Sequence, residues 1–351
     1  MTRNIQSTGG NLTCTSDRES IEYTVELTRN NLDTGLKYLS DVATQQIFKP
    51  WELADKVKSV KGDLARVTPQ IRAVDLLHRA AFYTELGNSI FCAKHHVGKI
   101  SSETLQHYVA QNFTSARSAV VGVGIDHQLL VGFAKNLHLE NGTTESAPSK
   151  YQGFGELRVD KAGNWAHVAI ATQGGALSNQ KEALAFAVLQ QVAGAGPATK
   201  RGNSNGALGK VISGAVGDKP LGFSALNASY TDNGLFGFVI SAEAATVGRV
   251  NLFFLKLIIH FILKIYIYWY SQAIEAGVKA LKQGSVSNGD VARGKAQLKA
   301  AVLNELDNGS GLASDLGQQA LLLGNVQSAA SIISAIDGIT DADVNAVSLL
   351  K

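Results

Sequence analysis

The chain has 351 residues, enough for about two domains of roughly 150 residues each. With 45% hydrophobic and 17% charged residues, it is not a mostly disordered polypeptide. Its 32 basic and 29 acidic residues leave a net charge of +3, too balanced for a protein whose binding is dominated by nucleic-acid phosphates. Two cysteines, Cys14 and Cys92, exclude a disulfide framework and a four-cysteine zinc site.

Residues 1–10 hold no apolar signal core and are too few for a complete transit peptide. The last residues stop inside a helical pattern without a capping glycine, so both ends read as cut. Residues 10–27 predict a hairpin. Leu12 and Cys14 alternate with polar residues, Ser16 to Glu19 form the turn, and Ile21, Tyr23, Val25 and Leu27 alternate again. Leu32, Leu36 and Leu39, then Leu53, Val57 and Val60, follow helical spacing. Thr68-Pro69 starts a helix with Ile71, Val74, Leu77 and Ala81 on one face. Ser101-Ser102 opens another, carrying Leu105, Tyr108, Val109 and Phe113. Ala119-Val120-Val121 predicts a buried strand.

Residues 139–150 have neither period and read as a linker between a first domain, 1–138, and a second, 151–351. Neighbouring strands are expected at Gly153–Leu157 and Trp165–Ile170. Asn179 to Glu182 starts a helix whose apolar face holds Leu184, Val188 and Leu189. A glycine-rich loop at 194–206 precedes strands near 222–230 and 234–241, and the pattern is helical from Ala242 onward. Ser287-x-x-Asp290 and Thr340-x-x-Asp343 mark two further helix starts. Strands first and helices after, in both halves, predict two similar α+β units.

Chemical candidates are few. Gly122-Val123-Gly124 lacks the third glycine of a dinucleotide loop, because His127 stands there, so a strand-end turn is expected. Asp75 and His78 are three apart on a helix without a third ligand nearby, which points to a hydrogen bond on the helix surface. Adjacent His95 and His96 diverge on any helix and read as a loop or helix end. Cys14 and Cys92 read as packed thiols. Lys200-Arg201, beside the glycine loop, suits an anion or a peptide carboxylate, and equally a solvated loop.

Five segments together resemble the pitrilysin-type (inverzincin) metallopeptidases. They are GGNLTCTSDRESIEYTVE at 9–26, DLLHRAAF at 75–82, NFTSARSAVVGVG at 112–124, VLQQVAGAGPATKRG at 188–202 and SALNASYTDNGLFGF at 224–238. Within that family they are most similar to the core subunits of mitochondrial ubiquinol–cytochrome c reductase, complex III. The resemblance implies two α/β rolls in tandem, an antiparallel-rich sheet with helices in each, the first roll N-terminally incomplete. Active members bind zinc through H-x-x-E-H and a downstream glutamate. The first motif would lie upstream of Met1, and the glutamate position falls near Lys61, beside Gly62 and Asp63. An ammonium repels zinc.

The implied role is therefore a non-catalytic scaffold without zinc, haem or other cofactor. It would be peripheral to the matrix side of the mitochondrial inner membrane, paired with a sister core protein and with cytochromes b and c1. Two other readings follow from the family. One is the non-catalytic subunit of the mitochondrial processing peptidase, whose hallmark is a long glycine-rich loop. The corresponding loop here, with Gly194, Gly196, Pro197, Lys200, Arg201 and Gly202, is short, yet remains the candidate cavity and partner loop. The other is a degenerate zinc endopeptidase.

Residues 250–270, VNLFFLKLIIHFILKIYIYWY, are long enough to span a bilayer, which takes about 20 apolar residues. Lys256, His260 and Lys264 interrupt the run, and each central lysine costs about 2.5–3.5 kcal/mol on insertion. A buried core helix fails too, because every face is apolar. Removing 249–271 aligns Val247, Ile274, Val278 and Leu281 in one stripe. Apart from Val250, His260 and Trp269, the run uses only residues that A/T-only codons specify. It reads as a translated intron.

Overall fold

The computed structural model describes residues 2–143, 147–153, 155–159, 164–197, 206, 221–243 and 286–348. In chain order the elements are α1 (Thr2–Ser7), β1 (Asn11–Ser16), β2 (Ile21–Glu26), α2 (Leu32–Thr44), α3 (Pro50–Arg66), α4 (Pro69–Ala81), α5 (Ser102–Asn112) and α6 (His127–Asn136). Then come β3 (Trp165–Gln173), α7 (Gln180–Ala193), β4 (Ala195–Pro197), β5 (Leu221–Ser229), β6 (Gly234–Glu243), α8 (Asn288–Leu306), α9 (Gly309–Gln318), α10 (Ala329–Gly338) and α11 (Asp341–Ser348). The helices and antiparallel strands make the chain α+β. The anomalous run 249–271 lies outside the described residues.

Two units are interleaved along the chain. The first takes Met1–Val67, Ser89–Pro148 and Val302–Ala329; the second takes Thr68–Asn88, Ser149–Ala301 and Ala330–Lys351. The segment read as a linker is pinned at both ends. Glu140 bridges to Thr114 in the first unit, and the Ser149 N–H donates to Asp232 at 2.5 Å in the second.

In the first unit the alternating residues form the expected hairpin, with Asn11 opposite Glu26 and Ser16 opposite Ile21. Helix α2 packs on β2. Strand β1 is exposed along most of its length, and Cys14 is exposed rather than packed, because a two-stranded ribbon has too few layers to cover its outer strand. The strand expected at Ala119–Val121 does not form. Those residues pair with nothing in the sheets described, and a β-prone run becomes a strand only beside a partner.

The second unit is built on a four-stranded antiparallel sheet of order β3-β6-β5-β4. Period two decides what each face buries. Phe223, Ala225, Phe236, Phe238 and Ile240 are buried on one face. Helix α7 meets that face through Phe186, whose ring lies 5.2 Å from that of Phe236. Sequence spacing identified Val188 and Leu189 of α7 as core; Phe186 and Val192 are buried with them. On the opposite face Leu235, fully buried, packs with Phe82, Leu86 and Tyr230, and with Leu77 and Ala81 of α4. Gly237 in β6 is required by close approach, since an added Cβ would collide with the Ile170 carbonyl oxygen.

Two strand boundaries differ from expectation. Ala242 and Glu243 finish β6 opposite Ala166 and Trp165, where helical sequence was expected. Residues 155–159 form no strand. Gly155 instead lies against the Ala80 carbonyl at the end of α4, with no room for a side chain.

Both late capping boxes form. Ser287 Oγ accepts from the Asp290 N–H at 3.2 Å, and Thr340 Oγ1 accepts from the Asp343 N–H at 3.2 Å. Helix α11 packs on α7, joined by Lys181 Nζ to Asp343 at 2.6 Å. The Lys181 ammonium, then the Thr340 donors, hold the Asp343 carboxyl far below the usual carboxylate range. A depressed carboxylate stabilises the fold above its unfolded pKa of about 3.9, and that contribution is lost as pH falls toward the folded value. Asp343→Asn is therefore expected to lower the thermal midpoint at neutral pH. It should also make the loss of stability on acidification shallower. A pH series of thermal melts checks both.

Candidate functional site

The position that the family resemblance gives to the downstream zinc glutamate falls near Lys61. This residue is exposed on α3. Its neighbour Asp63 is engaged by Arg66, 3.5 Å away. An ammonium and a guanidinium-paired carboxylate do not fit a divalent cation. Among the described residues no three His, Cys, Asp or Glu side chains cluster to hold a metal.

Asp75 and His78 do not sit on a helix surface. They are 7% and 2% exposed, respectively, on the face of α4 that lies in the second unit. Burial decides the chemistry of His78. Its Nδ1 lies 2.7 Å from the Val74 carbonyl oxygen, which can only accept, so Nδ1 carries the proton. On the other side of the ring, Nε2 and the Tyr230 hydroxyl share a hydrogen bond at 2.7 Å. The two rings meet edge to face at 5.7 Å. Tyr230 was not singled out by sequence reasoning, because 152 residues separate it from His78. Both side chains are buried, His78 at 2% and Tyr230 at 7% exposure, and their bond lies inside the core. Tyr230→Phe should remove this buried hydrogen bond and cost about 1–3 kcal/mol of stability, read by denaturant unfolding.

A second histidine pairs across the sheet. His167 Nδ1 lies 2.7 Å from Ser241 Oγ, and burial lowers the histidine's pKa. A serine beside an imidazole invites a nucleophile reading. Here, however, Ser241 lies on β6, the strand flanked on both sides by β3 and β5. Its neighbouring backbone amides serve the ladders, so they are not free to stabilise an oxyanion.

The other candidates are structural. Gly124, at φ +73°, makes the turn before α6, and the Asp126 carboxylate accepts from the N–H groups of Gln128 and Leu129 at 2.8 and 3.3 Å. That carboxylate already occupies the place where a nucleotide phosphate would bind. His95 and His96 sit in an exposed turn. Partial burial pushes the Cys14 thiol up, away from a reactive thiolate. Cys92 is half-buried.

The glycine loop is only partly described. Gly194, at φ +98°, is buried, and its carbonyl accepts from Ala225 N–H at 3.0 Å. Gly196 and Pro197 lie in β4, the edge strand, opposite Phe223 and Gly222. This start of the loop is therefore tied to the sheet, where the sequence predicted a glycine-rich loop from 194. Lys200, Arg201 and Gly202 lie outside the described residues.

Residues 1–94 match the model of the insulinase family, peptidase family M16, and residues 99–265 match that of the peptidase M16 inactive domain. The cytochrome b-c1 complex subunit 2 of Rattus norvegicus is 36% identical over 98% of this chain and 72% of its own length. The chain belongs to the cytochrome b-c1 complex subunit 2 branch of the peptidase M16 family. The Homo sapiens subunit 2 is 35% identical over the same shares of the two chains. A probable mitochondrial-processing peptidase subunit alpha-1 of Arabidopsis thaliana is more distant, 24% identical over 98% of this chain and 66% of that one. A chain from Complex III2 of Candida albicans, Inz-5 bound, shares the fold. Its TM-score is 0.76 at 20% identity, over 99% of this chain and 81% of that chain.

Proposed function

We propose that this chain is a non-catalytic core subunit of mitochondrial respiratory complex III, supporting the assembly and stability of ubiquinol–cytochrome c reductase. The observation that carries the reading is 36% identity to a cytochrome b-c1 complex subunit 2 across 98% of the chain. Its partners are a sister core protein and the subunits carrying cytochromes b and c1. Its place is the matrix side of the inner membrane, peripheral to the bilayer. The two peptidase-like domains run 1–138 and 151–351. The loop from Gly194 through Gly202 is its partner-facing loop, and it needs no cofactor. Among the described residues no helix is long and apolar enough to cross a membrane.

A tagged chain purified from mitochondria should bring down the b and c1 haems in constant ratio. Recovery of a processing-peptidase partner without haem would instead support the other non-catalytic reading. The isolated chain should hold well under one zinc per molecule by elemental analysis after dialysis, and should cleave no presequence peptide. One tightly held zinc, with chelator-sensitive cleavage, would restore the peptidase reading.

A further inference from the structure

The first unit carries an exposed ridge on which basic and large apolar side chains mix. Residues 90–102 run antiparallel along α3. Ile90, Phe91 and Cys92 line a groove with Val60 and Leu64. Gly98 and Ile100 line a second groove, of about 280 Å³, with Pro50, Leu53 and Val57. Ser102 Oγ then donates to the Phe48 carbonyl, which fixes this ridge beside the start of α3.

Two kinds of side chain are exposed there together. From Leu86 to Ser102 the sequence contains no acidic residue, yet it carries Lys94, His95, His96 and Lys99, all exposed. Beside them stand large apolar groups in water. Ile47 is 71% exposed, Trp51 64% and Ile100 43%. Lys49 Nζ lies 5.7 Å from the centre of the Trp51 ring. Three carboxylates border the patch: Glu52, which lies 3.9 Å from Lys49, Glu103 in the wall of the second groove, and Asp63 in the wall of the first, engaged by Arg66. An exposed indole beside lysine ammonium groups and aliphatic side chains is the composition of a membrane-interface contact. The ring sits at headgroup depth, the aliphatics go below it, and the cations meet phosphate.

We propose that this ridge, centred on Trp51, Lys94 and Lys99, is a contact surface for an anionic phospholipid bilayer. The inference does not rest on the assignment to complex III, since it concerns the isolated chain and a lipid surface. Lysines near a charged bilayer each contribute about fivefold in affinity at moderate ionic strength, and the attraction is screened within about 8 Å in physiological salt.

The test uses the full chain carrying Trp165→Phe and Trp269→Phe, which leaves Trp51 as its one indole. It is mixed with brominated phosphatidylcholine vesicles, with or without phosphatidylglycerol. Trp51 emission should be quenched and blue-shifted by the anionic vesicles alone, and released by high salt. Lys94→Gln with Lys99→Gln, both on exposed positions, should raise the lipid concentration needed for half-maximal quenching about 30-fold. The salt titration of the unaltered lysine surface reads the same contact without any charge substitution. Quenching that is equal on zwitterionic vesicles, or indifferent to salt and to both glutamines, would overturn the proposal. So would Trp51 emission that no vesicle alters, which is the outcome expected if a protein partner covers the ridge instead.

Discussion

Phe238→Ala is expected to destabilise the second unit by about 3–5 kcal/mol, the range for emptying an aromatic site in a packed core. Phe238 is 1% exposed on the central strand β6, opposite Ile170 of β3 and Ala225 of β5. Its ring lies 5.9 Å from that of Phe223. The flanking residues on its face, Phe236 and Ile240, are buried with it, so neighbouring side chains have little freedom to fill the space. Urea unfolding followed by far-ultraviolet circular dichroism should show the midpoint of this unit falling by about 1–2 M. Phe238→Leu should lose less than half as much.

Deleting 249–271 is expected to raise soluble yield several-fold without lowering thermal stability. The reason lies in the sequence. The run from 250 to 270 contains three basic side chains, no acidic one, and long unbroken stretches of Phe, Leu, Ile and Tyr. Left in water, such a run far exceeds the roughly 400 Å² of contiguous apolar surface that soluble proteins tolerate. Removing it also restores the single stripe of Val247, Ile274, Val278 and Leu281. Both versions can be expressed side by side and compared for soluble yield and thermal midpoint. A full chain that is the more soluble and the more stable would make the run a native element and return it to a membrane-anchor role. The transcript across the codons for Gly248 and Gln272 addresses the same question independently.

Local signals in this chain were legible wherever the deciding interaction is itself local. Thr68 caps α4 by accepting from the Ile71 N–H at 3.5 Å, and Asn179 caps α7 while its amide reaches Glu182 at 2.8 Å. The hairpin 11–26 follows from alternation plus a polar turn. What failed depends on distant partners. Ala119–Val121 has the residues of a strand and no strand to join. Gly196 and Pro197 have the residues of a loop, yet an edge strand accepts both, because its outer side needs no ladder donor. His78 looked like a surface residue because its spacing from Asp75 is all the local sequence offers. Its burial follows from Tyr230 and from the sheet beneath α4.

The candidate site shows the same division. The unsuitability of Lys61 as a metal ligand needed only its side-chain chemistry and its place in the family resemblance. The cross-strand pair of His167 with Ser241 became visible only when strands 74 residues apart were set side by side, and the bond of His78 to Tyr230 spans 152 residues.

The most direct test of the scaffold role is to deplete this chain in its own cells and quantify assembled complex III on native gels, alongside antimycin-sensitive ubiquinol–cytochrome c reductase activity. The scaffold reading predicts that assembled complex and total activity fall together with the chain. Activity per remaining complex should stay constant, and other respiratory complexes should keep their abundance until late. Unchanged assembled complex III after full depletion, with unprocessed mitochondrial precursors accumulating instead, would contradict it.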